Sequence, residues 1–307
     1  MYLGTSSSVS KVFRKPFIDV GYRNGDLSTW NVFYSLFTFH NESMNIWSHL
    51  IGLICMIIAG ISISIELFSK GSKFSEIFAV ELYIVCASIC FLLSAVYHWF
   101  GCLSELCHHC LLRFDLTGVA LLVTGSFLPG VYYGILKLLF AFNCIIELVI
   151  SIGFYCIPYA QQVHLILTGL VFFIGVSAPW LKFEYRGKNV RPFVYAFLVG
   201  AGLIPFTHWV IVTPSIIRAY FVKVCNCCTK NIVFICWCHF QGFLLMFFWY
   251  IVGFTFFITN VPECLFPKRF YFVLIRKLNY FVYFLPLLLV SGRLRYSRRI
   301  RYGTSAS

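Results

Sequence analysis

Long apolar runs separated by short polar stretches set the pattern of this chain. They cover about 46–66, 79–100, 115–133, 135–153, 163–181, 192–213 and 232–258, each close to or above the length that crosses hydrocarbon as a helix. A further run over 278–292 follows Arg276 and Lys277 and is shorter than a full span. The pattern predicts an all-α fold, a polytopic membrane helix bundle over 46–292. A polar and basic arm (1–45) precedes it, and a tail carrying Arg293, Arg295, Arg298, Arg299 and Arg301 (293–307) follows. The first run begins too far from residue 1 for an ordinary cleavable signal peptide.

Composition agrees. Hydrophobic residues make up 60% of the chain and charged residues 11%, against about a quarter charged in soluble domains. The net charge of +13 therefore reads as membrane topology, with the cation-rich loops cytosolic, and not as a nucleic-acid surface. Lys11, Arg14, Lys15 and Arg23 place the arm in the cytosol. Most of the 14 cysteines lie inside apolar runs and act as small hydrophobes. Cys107-His108-His109-Cys110 has metal-like spacing without a second pair to complete it, so it reads as a loop at the membrane surface. Cys225-Asn226-Cys227-Cys228 reads as a polar loop. Asn41-Glu42-Ser43 matches a glycosylation sequon that a cytosolic arm cannot use.

Candidate chemistry concentrates in SAVYHWFGCLSELCHHCLLRFDLTG (94–118). Ser94 and His98 are four residues apart and share one helix face. Asp115 is expected to open the next helix at the same membrane level. Ionisable groups at that depth ordinarily face a bundle interior and mark a site.

NESMNIWSHLIG (41–52), Ser94-x-x-x-His98, Asp115-x-x-Gly118, GSFLPGVYY (125–133), GLIPFTHW (202–209) and FITNVPECLFP (257–267) together resemble the progestin and adipoQ receptor family, which is adiponectin receptor-like and hemolysin III-related. The N-terminal part is most similar to its Golgi-resident, Raf-kinase-trapping branch. The resemblance implies a seven-helix bundle with a cytosolic N-terminus and a zinc ion held by one histidine of helix 2 and two of helix 7. His98 would be the helix 2 ligand, with Ser94 and Asp115 beside the metal orienting or deprotonating a bound water. It also implies membrane lipids as surroundings, a lipid or sterol ligand, a cytosolic kinase as partner of the arm, and, as in ceramidase-like members, hydrolysis of a lipid amide. A Golgi membrane fits better than the plasma membrane.

Two features depart from that family. Residues 135–153 form an apolar insert. If it crossed the membrane, the later basic loops would change sides and the cations would favour the exterior, so it is expected not to span. After Pro267 the expected H-x-x-x-H is missing, and no histidine follows His239. The segment 268–292 therefore reads as a degenerate seventh helix lying on the cytosolic surface. Without the two helix 7 ligands, His98 is either a zinc ligand or a buried histidine bonded to Ser94 or Asp115. His49 is expected to orient the entrance of helix 1, His208 to pack structurally, and His239 to be interfacial. A receptor-type signalling protein is the reading that follows. A non-catalytic scaffold and a zinc-dependent lipid amide hydrolase are the alternatives, and enzymatic activity is not expected of this chain.

Overall fold

A computed structural model describes residues 2–25, 27–72, 74–143, 156–181, 184–185, 188–189, 191–204, 207, 244–256, 258–261 and 264–265. The later part of the insert (144–153), His208, His239, the cysteines at 225–228 and the segments 268–292 and 293–307 lie outside them.

Helices dominate. The arm opens with an antiparallel hairpin, β1 (Tyr2–Thr5) with β2 (Val20–Asn24), in which Leu3 pairs with Arg23. A short helix follows, α1 (Thr29–Tyr34), capped by the Ser28 hydroxyl, which accepts from the Asn31 amide. A 3-10 turn over Ser35–Phe37 leads to the first long helix. That helix, α2, spans Ser43–Ser69; α3 spans Phe74–Phe100 and α4 spans Glu105–Asn143. Then come α5 (Cys156–Ser177), a two-residue ladder of β3 (Glu184–Tyr185) with β4 (Lys188–Asn189), α6 (Arg191–Ala201), and a helix over Leu244–Phe256. Among the described residues, three helical stretches are long and apolar enough to cross a membrane: Ser43–Ser69, Val80–Phe100 and Glu105–Phe127.

The helix after the α3 turn does not start at Asp115, as the apolar pattern suggests, but at Glu105. The Ser104 hydroxyl accepts from the Cys107 amide at 3.1 Å and the Ser104 carbonyl from the His108 amide, so Ser104 caps the helix, with Glu105 in its first turn. Cys107-His108-His109-Cys110 is therefore helical and not a loop. At the other end α4 continues through 135–143, so the first part of the insert is an extension of this helix and not a separate element. The helix is 39 residues long and rises roughly 58 Å, well beyond the ~30 Å of hydrocarbon.

Two faces of α2 explain its place. His49, Gly52, Met56, Gly60, Ile63 and Leu67 are buried, largely against α3. Trp47, Ile51, Ile54, Ile58, Ile61, Ile65 and Phe68 recur at the same three- and four-residue spacing on the exposed side. An exposed isoleucine stripe of this length belongs in lipid, where the helix satisfies its own backbone. Between α3 and α4 the backbones approach closely. A Cβ on Gly118 would lie 2.9 Å from the Cα of Cys90, and one on Gly125 2.8 Å from the Cβ of Cys86. Small residues one face apart are how membrane helices gain this proximity. A second cluster of Ala120, Val123, Phe127, Leu198, Met246 and Phe247 joins α4 to α6 and the Leu244–Phe256 helix.

Candidate functional site

The polar groups collect where the arm meets the ends of α2, α3 and α4. Arg23, on β2, is buried. Its guanidinium donates to the carbonyls of Trp99 (2.7 Å) and His98 (2.8 Å) and to the Ser35 hydroxyl (3.1 Å). Those carbonyls belong to the last turn of α3, which has no further helical partners and carries partial negative charge. A guanidinium fork is suited to capping them. The Trp99 indole N–H donates to the Val32 carbonyl at 2.9 Å and so fixes α1 to the same helix end.

Glu42 lies at the centre, just before α2. One carboxylate oxygen is 2.9 Å from His98 Nδ1 and also accepts from the Asn45 amide; the other is 3.4 Å from the Lys15 ammonium. Burial alone would raise the Glu42 pKa. The positive charge of Lys15, and the charge and hydrogen bond of His98, outweigh it and hold the carboxyl well below the usual range, with Asn45 helping. Glu42 is therefore an anion that bridges one arm cation and one α3 imidazole. Nearby His40 is driven down to about 3 by burial first and by the Arg23 charge second, so it is neutral at pH 7.

Ser94 and His98 both lie buried on α3, one turn apart. The Ser94 hydroxyl is 3.2 Å from His49 Nε2, and the His49 ring stacks on that of His98 with centroids 5.8 Å apart and 12° between planes. His49 thus does more than orient a helix entrance: it links the two α3 groups. Asp115 is buried too. It lies on α4 three residues before Gly118, whose backbone meets that of Cys90 on α3. Among the described residues it makes no hydrogen bond or ion pair. Among the described residues the buried side chain bonded to His98 is Glu42, which neither sequence-based alternative named. His108 rests with Nδ1 3.3 Å from the Gly101 carbonyl and Nε2 3.5 Å from the Tyr97 hydroxyl. Among the described residues no three His, Cys, Asp or Glu side chains converge as a metal site.

A cleft of about 190 Å³ opens between the arm and the helix ends, lined by Ser10, Lys15, Arg23, Glu42, Tyr97 and His108 among others. Glu42, Lys15 and Arg23 escaped sequence reasoning because each looks ordinary there: a sequon residue and two members of a basic arm. The available signal was a single acidic residue immediately before a spanning run, where a charge is costly unless paired.

The family model described as Haemolysin-III related matches residues 37–275, from just before Glu42 to beyond the Leu244–Phe256 helix. The chain belongs to this family of progestin and adipoQ receptor relatives. Progestin and adipoQ receptor family member 3 of Mus musculus is 27% identical over 264 residues, covering 83% of this chain and 72% of the mouse protein. Adiponectin receptor protein of Drosophila melanogaster is 26% identical over 243 residues, covering 78% of this chain and 46% of its own length. Membrane progestin receptor alpha of Cynoscion nebulosus is 35% identical over 133 residues, which cover 43% of this chain and 37% of that one. The family's helical membrane bundle accounts for the three spans, and the chain is an integral membrane protein.

Proposed function

We propose that this chain is a receptor-type signalling protein of the membrane, in which the cluster around Glu42 couples the state of the helix bundle to the N-terminal arm. The observation that carries the reading is the Glu42 bridge, from Lys15 in the arm to His98 in α3, reinforced by Arg23 on the end of the same helix. A lipid or sterol that enters the bundle and alters His98, His49 or Ser94 changes the partner of a buried carboxylate. That carboxylate then changes its hold on the arm. The arm is the output surface, cytosolic by the charge distribution, and its partner is a cytosolic kinase of the Raf type. A Golgi membrane is the preferred location.

Zinc is implied by the resemblance. His98 has one property of a metal ligand: its Nδ1–H is held by a carboxylate, which leaves Nε2 as the acceptor nitrogen, the arrangement that orients ligating histidines. The remaining donors do not fit. Residues 240–307 contain no histidine, so the H-x-x-x-H pair is missing from the sequence that should supply it. Lipid amide hydrolysis, with Asp115 and Ser94 acting on a metal-bound water, is accordingly the weaker reading.

The scaffold alternative makes the arm the whole of the function, with the bundle as a passive anchor. Two variants separate the readings when kinase capture is measured on membranes: deletion of the arm, and His98→Ala. Loss of capture in both supports coupling. Loss only on deletion, with His98→Ala equal to the parent, supports the scaffold and overturns the coupled receptor.

A further inference from the structure

We propose that α1 and the turn after it form a membrane-interface anchor, with the headgroup boundary of the bilayer as its partner, so that the arm is clamped to the membrane as well as to the bundle. Residues 27–41 contain no Asp, Glu, Lys or Arg, although they sit in the polar arm. They nonetheless expose large rings: Trp30 is 71% exposed, Phe37 71% and Phe39 77%, with Tyr34 beside them. Trp30 packs on Phe33 and Tyr34, and Phe33 stacks on Trp99 at 5.2 Å, so the rings are held on the bundle in fixed positions.

What covers them follows from continuity. The exposed stripe of α2, from Phe68 through the isoleucines, ends at Trp47. Trp47 is in ring contact with Phe37, and its indole N–H donates to the Leu36 carbonyl at 3.0 Å. The lipid-facing side of a spanning helix therefore runs without a break into the exposed rings of the arm, at the helix end where hydrocarbon gives way to headgroups. Trp and Tyr prefer that boundary because a flat apolar ring with one polar atom suits it. The polar members of the segment, Thr29, Asn31 and Thr38 among them, hold no formal charge that would need bulk water. Of the arm's four cations, Lys15 and Arg23 face the Glu42 cluster, and Lys11 and Arg14 are exposed in the connection between β1 and β2.

The test uses the full chain in phosphatidylcholine–phosphatidylglycerol vesicles. The chain has seven tryptophans, so the emission of the parent minus that of Trp30→Phe isolates Trp30. Nitroxide-labelled phosphatidylcholine, with the label near the headgroup or deep in the chain, supplies lipid quenchers, and iodide supplies an aqueous one. The expected result is that the shallow nitroxide quenches the Trp30 signal about twofold or more and the deep nitroxide and iodide far less, as for a ring at the headgroup level. Phe39→Trp in the Trp30→Phe background should give the same shallow quenching from the other end of the patch. Iodide quenching without lipid quenching would place the rings in water. Shielding from both quenchers would mean that protein covers them, a second copy or another partner. Either outcome overturns the proposal.

Discussion

Glu42→Gln is the substitution that most sharply probes the junction of arm and bundle. The glutamine keeps the shape and one acceptor oxygen but removes the charge that Lys15 meets at 3.4 Å and His98 at 2.9 Å. A hydrogen bond to a charged group contributes about 1.5–3 kcal/mol and a neutral one about 0.5–1.5. The amide also turns an N–H toward a site where every neighbour is a donor: ammonium, imidazole N–H and the Asn45 amide. The Glu42 side chain is largely buried, so water compensates little. Its Lys15 partner is partly exposed, which holds the cost below that of a fully buried pair. The net loss is about 2–3 kcal/mol, or about 30- to 150-fold in the equilibrium between closed and open arm. Hydrogen exchange of amides bonded within the arm reads this. The Ser6 amide donates to the Asp19 carbonyl at 2.7 Å and the Asn41 amide to the Gly21 carbonyl at 2.8 Å. Both should exchange faster by that factor, while amides in the middle of α2 and α3 stay as slow as in the parent. An unchanged arm would refute the view that Glu42 holds it, and uniform acceleration would mean only that the fold is weakened.

The other predictions concern pH, packing and metal. His40 titrates at about 3 in the folded arm and near 6.5 when released; the open arm binds the extra proton between these values, so closed-arm stability rises with pH across that window and is lost as pH falls. Arm exchange, corrected for its intrinsic pH dependence, should speed between pH 6.5 and 4.5, and His40→Gln should flatten that slope. Glu42 works in the same direction but lower: its depressed pKa contributes stability above the ordinary carboxylate range, near 4.3, and loses it as pH falls through the folded value. Gly118→Val, which must push against the Cys90 backbone, should lower the thermal midpoint of detergent-solubilised protein through about 1–3 kcal/mol of overpacking; an unchanged midpoint would show that α3 and α4 are not so close. Zinc measured on purified protein should fall well below one ion per chain, and one ion lost in His98→Ala would show that groups outside the described residues complete a centre.

Much of this architecture was legible in the sequence, and the part that was not has identifiable causes. The long apolar runs located α2 and α3 to within a few residues, because hydrocarbon demands length before anything else. The beginning of α4 was misplaced because Ser104, Glu105 and the two histidines look polar, whereas a capping hydroxyl and an acidic first turn start a helix before its apolar part begins. At the site, Ser94 and His98 were visible through their four-residue spacing. Glu42 and Arg23 were not, and His49 was seen only as part of a helix entrance, because their importance lies in contacts across 45 to 76 residues of chain, which no local pattern encodes. Nor does the basic composition of the arm reveal that Arg23 is buried as the cap of another helix.

The most direct test of coupling is a double-mutant cycle between Lys15→Met and His98→Ala, read through exchange of the Asn41 amide. These residues lie on opposite sides of Glu42 and both act through its carboxylate. Removing either should therefore weaken the hold on the arm, and the double variant should differ from the summed single effects by about 1 kcal/mol or more, as expected for members of one network. Strict additivity would mean that arm and bundle meet at Glu42 without communicating through it, and the coupled-receptor reading would fail.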